Sequence, residues 1–333
     1  MRIVITDCDH DAFEQERAVV AASGDELVIA NSLTPGELIA SAEGADALVV
    51  QYASITGEIL DALPNVKVVS RYGVGVDSVD IPAATERGIA VCNVPDYGTE
   101  AVSDHAIALA MNAAREVTRL DRGLRAGVVD FPGVRPMHLV GERVFGIVGL
   151  GLIGSATARK AAGLGFQVIC HDILAGDADE FRGYPHVSLD ELLRRSQVVS
   201  IHTPLTELTH HLIDADALAS MRPDAILVNT ARGPIVDTAA LGEALRAGTI
   251  RGAALDVTET EPLPADDPLL ELPQLTVTPH MAWYSEESYG ELKRRTVENA
   301  ADLIAGRVPR NIINPEVLGA PGRNRNLDPG ASA

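Results

Sequence analysis

The chain has 333 residues, 46% of them hydrophobic, enough for one or two domains with substantial cores. With 47 acidic residues against 27 basic, a net charge of −20 and no basic run, direct nucleic-acid binding is not expected and the acidity reads as solubility. No apolar stretch reaches membrane-spanning length and MRIVITDCDHD turns acidic too early for a secretory leader; Cys8, Cys92 and Cys170 sit in or beside apolar runs without metal-ligand spacing, so a cytoplasmic, reducing setting is expected.

Residues 1–92 alternate strand and helix signals. The runs 2–6, 26–29, 47–50, 66–70 and 89–92 are short and rich in Val and Ile, and the segments 13–22, 35–42, 57–63 and 82–87 between them read as helices, with Thr34 as N-cap before Pro35. Repeated strand–helix alternation predicts a small parallel sheet covered on both faces. Past Pro95, Thr99 is the expected N-cap of a long Ala-rich helix, 101–124, that carries the chain into a second domain; the loop 127–140 is irregular.

From residue 143 strands recur at 143–148, 166–171, 197–201, 225–229, 252–256 and 275–278. The first runs into Gly149-Leu150-Gly151-Leu152-Ile153-Gly154 and then a helix, 155–164. The first glycine allows a tight turn, the second lets backbone approach a pyrophosphate at the helix N-terminus, and the third lets helix and strand pack closely. Asp172, about 20 residues beyond, ends the next strand as an acceptor for a ribose 2′-hydroxyl should, and no arginine beside it would neutralise a 2′-phosphate; NAD is the expected cofactor. Ser188-x-x-Glu191 reads as a capping box, and Asp214 and Thr238 as further N-caps. A last helix, 285–305, and an extended run, 308–313, return to the first domain, and the Gly- and Pro-rich tail 319–333 is expected to be disordered. The fold class is therefore α/β: two doubly wound parallel-sheet domains, a Rossmann-type NAD domain (99–285) inserted in a smaller flavodoxin-like substrate domain (1–98 and 286–318).

Three later strands end in groups fit for chemistry. Strand 225–229 leads to Thr230-Ala231-Arg232-Gly233, strand 252–256 to Asp256 and on to Glu261-Pro262, and strand 275–278 to Pro279-His280. In a doubly wound sheet these ends share one edge, where the ligand binds. A histidine titrates near neutrality and can take or return a hydroxyl proton, Glu261 can hold one of its nitrogens and favour the charged form, and Arg232 can fork onto a carboxylate and polarise the neighbouring carbonyl. Thr230, Ala231, Arg232, Asp256 and His280, lying at the nicotinamide edge, are also assigned to the cofactor. Each residue alone has an ordinary reading as a loop or surface group; their convergence on one edge carries the assignment.

The motifs VNTARGPIVDTAAL (228–241), GAALDVTETEP (252–262) and TPHMAWYSEES (278–288) resemble those of the D-specific 2-hydroxyacid dehydrogenase family, over nearly the whole chain to about Val317. That resemblance implies an Arg232–Glu261–His280 catalytic set, a discontinuous first domain, and a homodimer built largely on the long helix after Thr99. RYGVGVDSVDI (71–81), VCNVPDYGTEAVSDHA (91–106) and HMAWYSEES look like the subgroup containing the C-terminal binding protein corepressors. The subgroup implies Arg71 and the Val74–Gly75 backbone near the substrate carboxylate, Trp283 against its side chain, nicotinamide packing near Val102, and cofactor walls from Thr203, Pro204, Leu205 and Thr209. The expected function is NAD-dependent hydride transfer between a small D-2-hydroxy acid and its 2-keto acid, with Trp283 favouring side chains larger than that of glyoxylate. Alternatives are an NAD(H)-sensing scaffold with little turnover, and an enzyme for a phosphonate or phosphorylated acid. The first-domain loop offers only Arg71 as an obvious extra cation for such a substrate.

Overall fold

The computed structural model describes residues 1–32, 34–129 and 132–319. The chain divides into two compact units, Met1–Gly98 with the segment from Ser285 onward, and Thr99–Tyr284. The first unit opens with β1 (Arg2–Ile5), α1 (Glu14–Ser23), β2 (Glu26–Ile29), α2 (Pro35–Ser41), β3 (Ala47–Val50), α3 (Gly57–Ala62), β4 (Val68–Arg71), α4 (Ile81–Glu86) and β5 (Ala90–Cys92). Its strands are all parallel in the order β2-β1-β3-β4-β5. The order reverses between β1 and β3, which is where doubly wound sheets open a crevice beyond the strand ends. Leu48, Val50, Val69 and Val91 alternate with residues of the opposite face and pack with Leu38, Ile59 and Leu60 of the flanking helices. Thr34 caps α2 in a reciprocal box with Glu37.

The second unit runs α5 (Thr99–Ala114), α6 (Val117–Arg125), β6 (Val144–Val148), α7 (Leu152–Gly163), β7 (Gln167–His171), β8 (Glu180–Phe181), β9 (Tyr184–Pro185), α8 (Leu189–Arg195), β10 (Val198–Ile201), α9 (Ala215–Ser220), β11 (Ile226–Asn229), α10 (Thr238–Ala247), β12 (Gly252–Leu255) and β13 (Leu275–Val277). Six of these strands form one parallel sheet ordered β13-β12-β11-β10-β6-β7. Its reversal lies between β6 and β10, so the glycine turn after β6 and residues 202–205 after β10 flank the crevice. The chain then returns to the first unit in α11 (Glu286–Ile304), capped by Ser285, which packs on α1, β3 and β4.

Several expected details differ. The single long helix breaks at Glu116, which sits at φ 56°. The Glu116 carboxylate is drawn inward onto Arg251 at 2.9 Å, and Asn112 Oδ1 accepts the Thr118 amide to start α6 anew. Thr99 is the first residue of α5 rather than its cap, and its hydroxyl makes no hydrogen bond among the described residues. Asp237, not Thr238, caps α10 through the Ala240 amide. Ser188 does cap α8, but the Glu191 carboxylate turns to Arg195 instead of closing the box. Helix α7 begins at Leu152, three residues earlier than expected, because it starts directly on the glycine turn. The extended run 308–313 does return to the first unit, where Ile312 bridges Cys92 of β5. The hairpin β8–β9 has no strong sequence signal. The tail expectation for 319–333 lies outside the described residues beyond Gly319.

Candidate active site

The glycine turn is shaped by what surrounds it. Gly149 has φ 88°, and a Cβ there would lie 2.9 Å from both the His202 carbonyl carbon and the Thr203 nitrogen. A Cβ on Gly154 would lie 2.0 Å from the Gly149 oxygen, so the third glycine lets helix and turn touch. Gly151 caps α7, and a Cβ there would meet nothing within 4 Å. Open space therefore faces the first turn of a helix that has no side-chain cap, where backbone amides can take an anion; these residues fit a dinucleotide pyrophosphate. Beneath the turn, His202 Nε2 and the Ser200 hydroxyl lie 2.9 Å apart, and burial pushes the His202 pKa down to about 3, so the imidazole is neutral.

Asp172 does more than wait for a ribose. Its Oδ2 accepts the Leu150 amide at 2.7 Å and its Oδ1 the Leu174 amide at 2.9 Å, tying the second strand end to the turn. Each oxygen keeps a second lone pair for a ribose hydroxyl. Thr209 spends its hydroxyl on the neighbouring loop, donating to the Pro204 carbonyl at 2.7 Å and accepting the Thr206 amide at 2.7 Å, which fixes the turn from Pro204 to Thr209. Val102 lies buried on α5.

The three expected catalytic groups gather at the ends of β11, β12 and β13. His280 Nδ1 lies 2.7 Å from Glu261 Oε2, while Glu261 Oε1 accepts the Thr258 amide at 3.0 Å. Burial pushes the Glu261 carboxyl up, but the His280 hydrogen bond and charge, the Thr258 amide and the Arg232 charge together hold it below its ordinary range. Both ring nitrogens of a histidine can carry protons, and Glu261 occupies one, so Nε2 is the nitrogen placed for transfer. His280 sits at φ 54°, a costly region for a β-carbon-bearing residue, and its amide donates to the Asp256 carbonyl at 2.8 Å.

Asp256 is tied into the loop after β13. It is 2% exposed, and its carboxylate accepts the Thr278 hydroxyl at 2.5 Å and the Met281 and Ala282 amides at 3.0 and 2.8 Å, with His105 Nε2 at 3.4 Å. Burial raises its pKa, and these donors outweigh burial and hold it below the carboxylate range. Its carboxylate thus builds the turn that presents His280. Two residues that sequence reasoning missed build the Arg232 loop. Buried Asn229 brackets it, accepting the Ala231 amide at 3.0 Å and donating to the Arg232 carbonyl at 2.9 Å. Gly233 lets it lie against the Glu261 loop, since a Cβ there would fall 2.0 Å from the Thr258 carbonyl. The signal was present in both cases: a polar residue closing an apolar strand, and a glycine directly after the candidate arginine. Thr230 Oγ1 is buried without a hydrogen-bond partner among the described residues. Trp283 is half-buried and meets Tyr284 edge-on at 5.6 Å.

In the first unit, Arg71 closes β4 and its guanidinium folds over Gly73, where a Cβ would lie 1.6 Å from Nη1. Asn93 Nδ2 donates to the Val74 carbonyl at 2.6 Å and holds the loop that continues through Gly75.

The family model for the NAD-binding domain of D-isomer specific 2-hydroxyacid dehydrogenases matches residues 107–282. The chain belongs to this family. It is 42% identical to a glyoxylate reductase of Korarchaeum cryptofilum over 84% of this chain and 86% of that protein. It is 38% identical to a D-3-phosphoglycerate dehydrogenase of Mycobacterium leprae over 90% of this chain, but spans only 57% of that longer protein. The TT0316 protein of Thermus thermophilus superposes with a TM-score of 0.85 at 37% identity, covering 94% of this chain and all of that one. The protein is therefore an NAD(P)-dependent oxidoreductase that interconverts D-2-hydroxy acids and 2-keto acids. Among the described residues no helix is long and apolar enough to cross a membrane.

Proposed function

We propose that the substrate is a small unphosphorylated 2-keto acid or its D-2-hydroxy acid, that Arg232, Glu261 and His280 carry the reaction, and that NADH is preferred over NADPH. The observation that carries this reading is the 2.7 Å contact of His280 Nδ1 with a Glu261 carboxylate held anionic by its neighbours, Arg232 among them. A nicotinamide held at this strand edge would supply or accept the hydride at substrate C2. In reduction, protonated His280 delivers the Nε2 proton to the keto oxygen while Glu261 stabilises the imidazolium. Arg232 holds the carboxylate and draws electron density from the adjacent carbonyl. In oxidation, neutral His280 takes the hydroxyl proton back.

Arg71 and the Val74–Gly75 backbone are assigned to the substrate carboxylate and Trp283 to its side chain, on the strength of the motifs that contain them. Val102, Thr203, Pro204, Leu205 and Thr209 are assigned to the cofactor walls, with the glycine turn at the pyrophosphate and Asp172 at the ribose. A carboxylate at the ribose repels a 2′-phosphate, which supports NADH. The name of the Korarchaeum relative supports glyoxylate as substrate; Trp283, if it lines the pocket, supports a longer keto acid. The corepressor-like motifs are compatible with a binding role, but the intact Arg–Glu–His set and the reductase relatives support turnover. We also propose a homodimer, and a cytoplasmic setting in keeping with three cysteines that form no disulfide.

A panel of glyoxylate, pyruvate, a longer apolar keto acid and a phosphorylated keto acid, each with NADH and NADPH, tests the reading. Turnover is expected with the unphosphorylated acids and NADH, and His280→Ala should lower it by roughly 10²–10⁴-fold without loss of NADH binding. No turnover with any acid would favour the scaffold, and a preference for the phosphorylated acid would overturn the substrate class.

A further inference from the structure

The first unit contains a buried polar cluster that the reaction does not use. Glu16 on α1 is fully buried, and Tyr72, Lys293 and His10 are 2%, 2% and 8% exposed. The Tyr72 hydroxyl donates to Glu16 Oε1 at 3.1 Å, Lys293 Nζ lies 3.6 Å from Glu16 Oε2 and also donates to the Ala12 carbonyl, and His10 Nδ1 lies 3.6 Å from Glu16 Oε1. Aromatic rings enclose the group. His10 stands edge-on to Tyr72 and Tyr289 at 4.6 and 5.1 Å, and the Lys293 ammonium lies 4.9 Å from the Tyr289 ring centre. Both ring nitrogens of His10, and Glu16 Oε2, have no hydrogen-bond partner among the described residues.

Stability does not account for such a cluster, because a buried ion pair adds little over an apolar packing of equal volume, and polar groups left without hydrogen bonds subtract from it. What the cluster supplies is a directional acceptor deep in the unit, and the group it accepts from is the neighbour of Arg71. Burial and the Glu16 charge push the Tyr72 phenol well above its ordinary value, so it remains a donor. The Arg71 guanidinium rests over Gly73, so its position depends on where the 72–73 backbone lies. That backbone is tied on its strand side by the Tyr72 amide to the Val50 carbonyl and by the Val94 amide to the Gly73 carbonyl. Of the side chains from Arg71 to Gly75, Tyr72 is the one anchored in the core.

We infer that Glu16, held by Lys293, is a positioning residue for Arg71: by fixing the Tyr72 hydroxyl it sets the loop on which the guanidinium rests. The inference rests on the reading that Arg71 binds the substrate carboxylate. Removing Glu16 outright would leave the buried Lys293 charge without its carboxylate, so the test uses Tyr72→Phe, which keeps the ring and loses only the hydroxyl. KM and kcat for the best keto acid are measured for the parent, Arg71→Ala, Tyr72→Phe and the double variant, with thermal unfolding alongside. Arg71→Ala should raise KM. Tyr72→Phe should raise KM roughly fivefold to tenfold, the effect of one lost hydrogen bond to a charged acceptor, with kcat held within about twofold. In the Arg71→Ala background Tyr72→Phe should have no further effect on KM. If Arg71→Ala raises KM but Tyr72→Phe leaves it unchanged, or raises it equally in both backgrounds, the positioning role is wrong and the Arg71 reading survives. If Arg71→Ala leaves KM unchanged, both fall together.

Discussion

Glu261 is anionic for reasons that lie in its neighbours. Burial favours its neutral form, and the hydrogen bond and charge of His280, the Thr258 amide and the Arg232 charge overcome burial to hold the pKa below the carboxylate range. Linkage makes the effect mutual: a carboxylate stabilised by an imidazolium stabilises that imidazolium in return. Reduction needs the protonated ring and oxidation the neutral one. Glu261→Gln keeps a hydrogen-bond acceptor but removes the charge. The alkaline limb of keto-acid reduction should therefore move to lower pH, and in the oxidation direction, which needs the neutral ring, the acid limb should move the same way. A pH profile of kcat/KM in each direction checks this, and coincident profiles for parent and variant would remove Glu261 from control of the proton. The proton-handling groups were legible in the sequence because their residue types are rare together at three strand ends. The left-handed backbone of His280 and the inward turn of Asp256 were not, since both follow from hydrogen bonds between β12 and the loop after β13 that no local pattern encodes.

Elements bring those residues together through close approach of loops, and glycine is what permits it. The strands of the two parallel sheets were readable to within about two residues because buried parallel strands are near-continuous apolar runs. The break before α6 was not, because its cause, Arg251, lies more than a hundred residues away. Loop-to-loop contacts are equally non-local. Gly233 is the clearest case: any side chain there would drive a Cβ to 2.0 Å from the Thr258 carbonyl and 2.5 Å from the Glu259 nitrogen. Backbone cannot yield as a flexible side chain does, so Gly233→Ala must separate the Arg232 loop from the loop that carries Glu261. A displacement of about 1 Å at reacting groups costs on the order of 10²-fold in rate, and kcat/KM should fall by that factor. NADH binding at the glycine turn after β6 should change little, because that turn packs on 202–203 and not on 258–259. Fluorescence titration with NADH beside steady-state kinetics separates the two. Loss of NADH affinity in proportion to activity would mean that the substitution disturbs the whole unit.

At the scale of the whole molecule, α6 leaves apolar side chains open among the described residues. None of its residues is buried, yet Val117, Leu120 and Leu124 share a face and are 56%, 42% and 67% exposed. Val128, Val129 and Leu139 follow close by in the chain at 53%, 85% and 70%. An exposed apolar helix face of this kind marks an association surface, and the proposed occupant is a second copy of the same chain. The sign of the electrostatics makes the proposal testable. Each copy carries a net charge of −20, so two copies repel, and association must be driven by the apolar face. Added salt screens that repulsion and should tighten the dimer, whereas a dimer held by ion pairs would loosen. Sedimentation velocity at low and high ionic strength should show a dimer that strengthens with salt. Leu120→Glu with Leu124→Glu places two more like charges on the stripe and should give a monomer with unchanged circular dichroism, because neither side chain contributes to the core. A parent chain that sediments as a monomer at both ionic strengths, or a double variant that stays dimeric, would show that α6 is not the surface on which two copies meet.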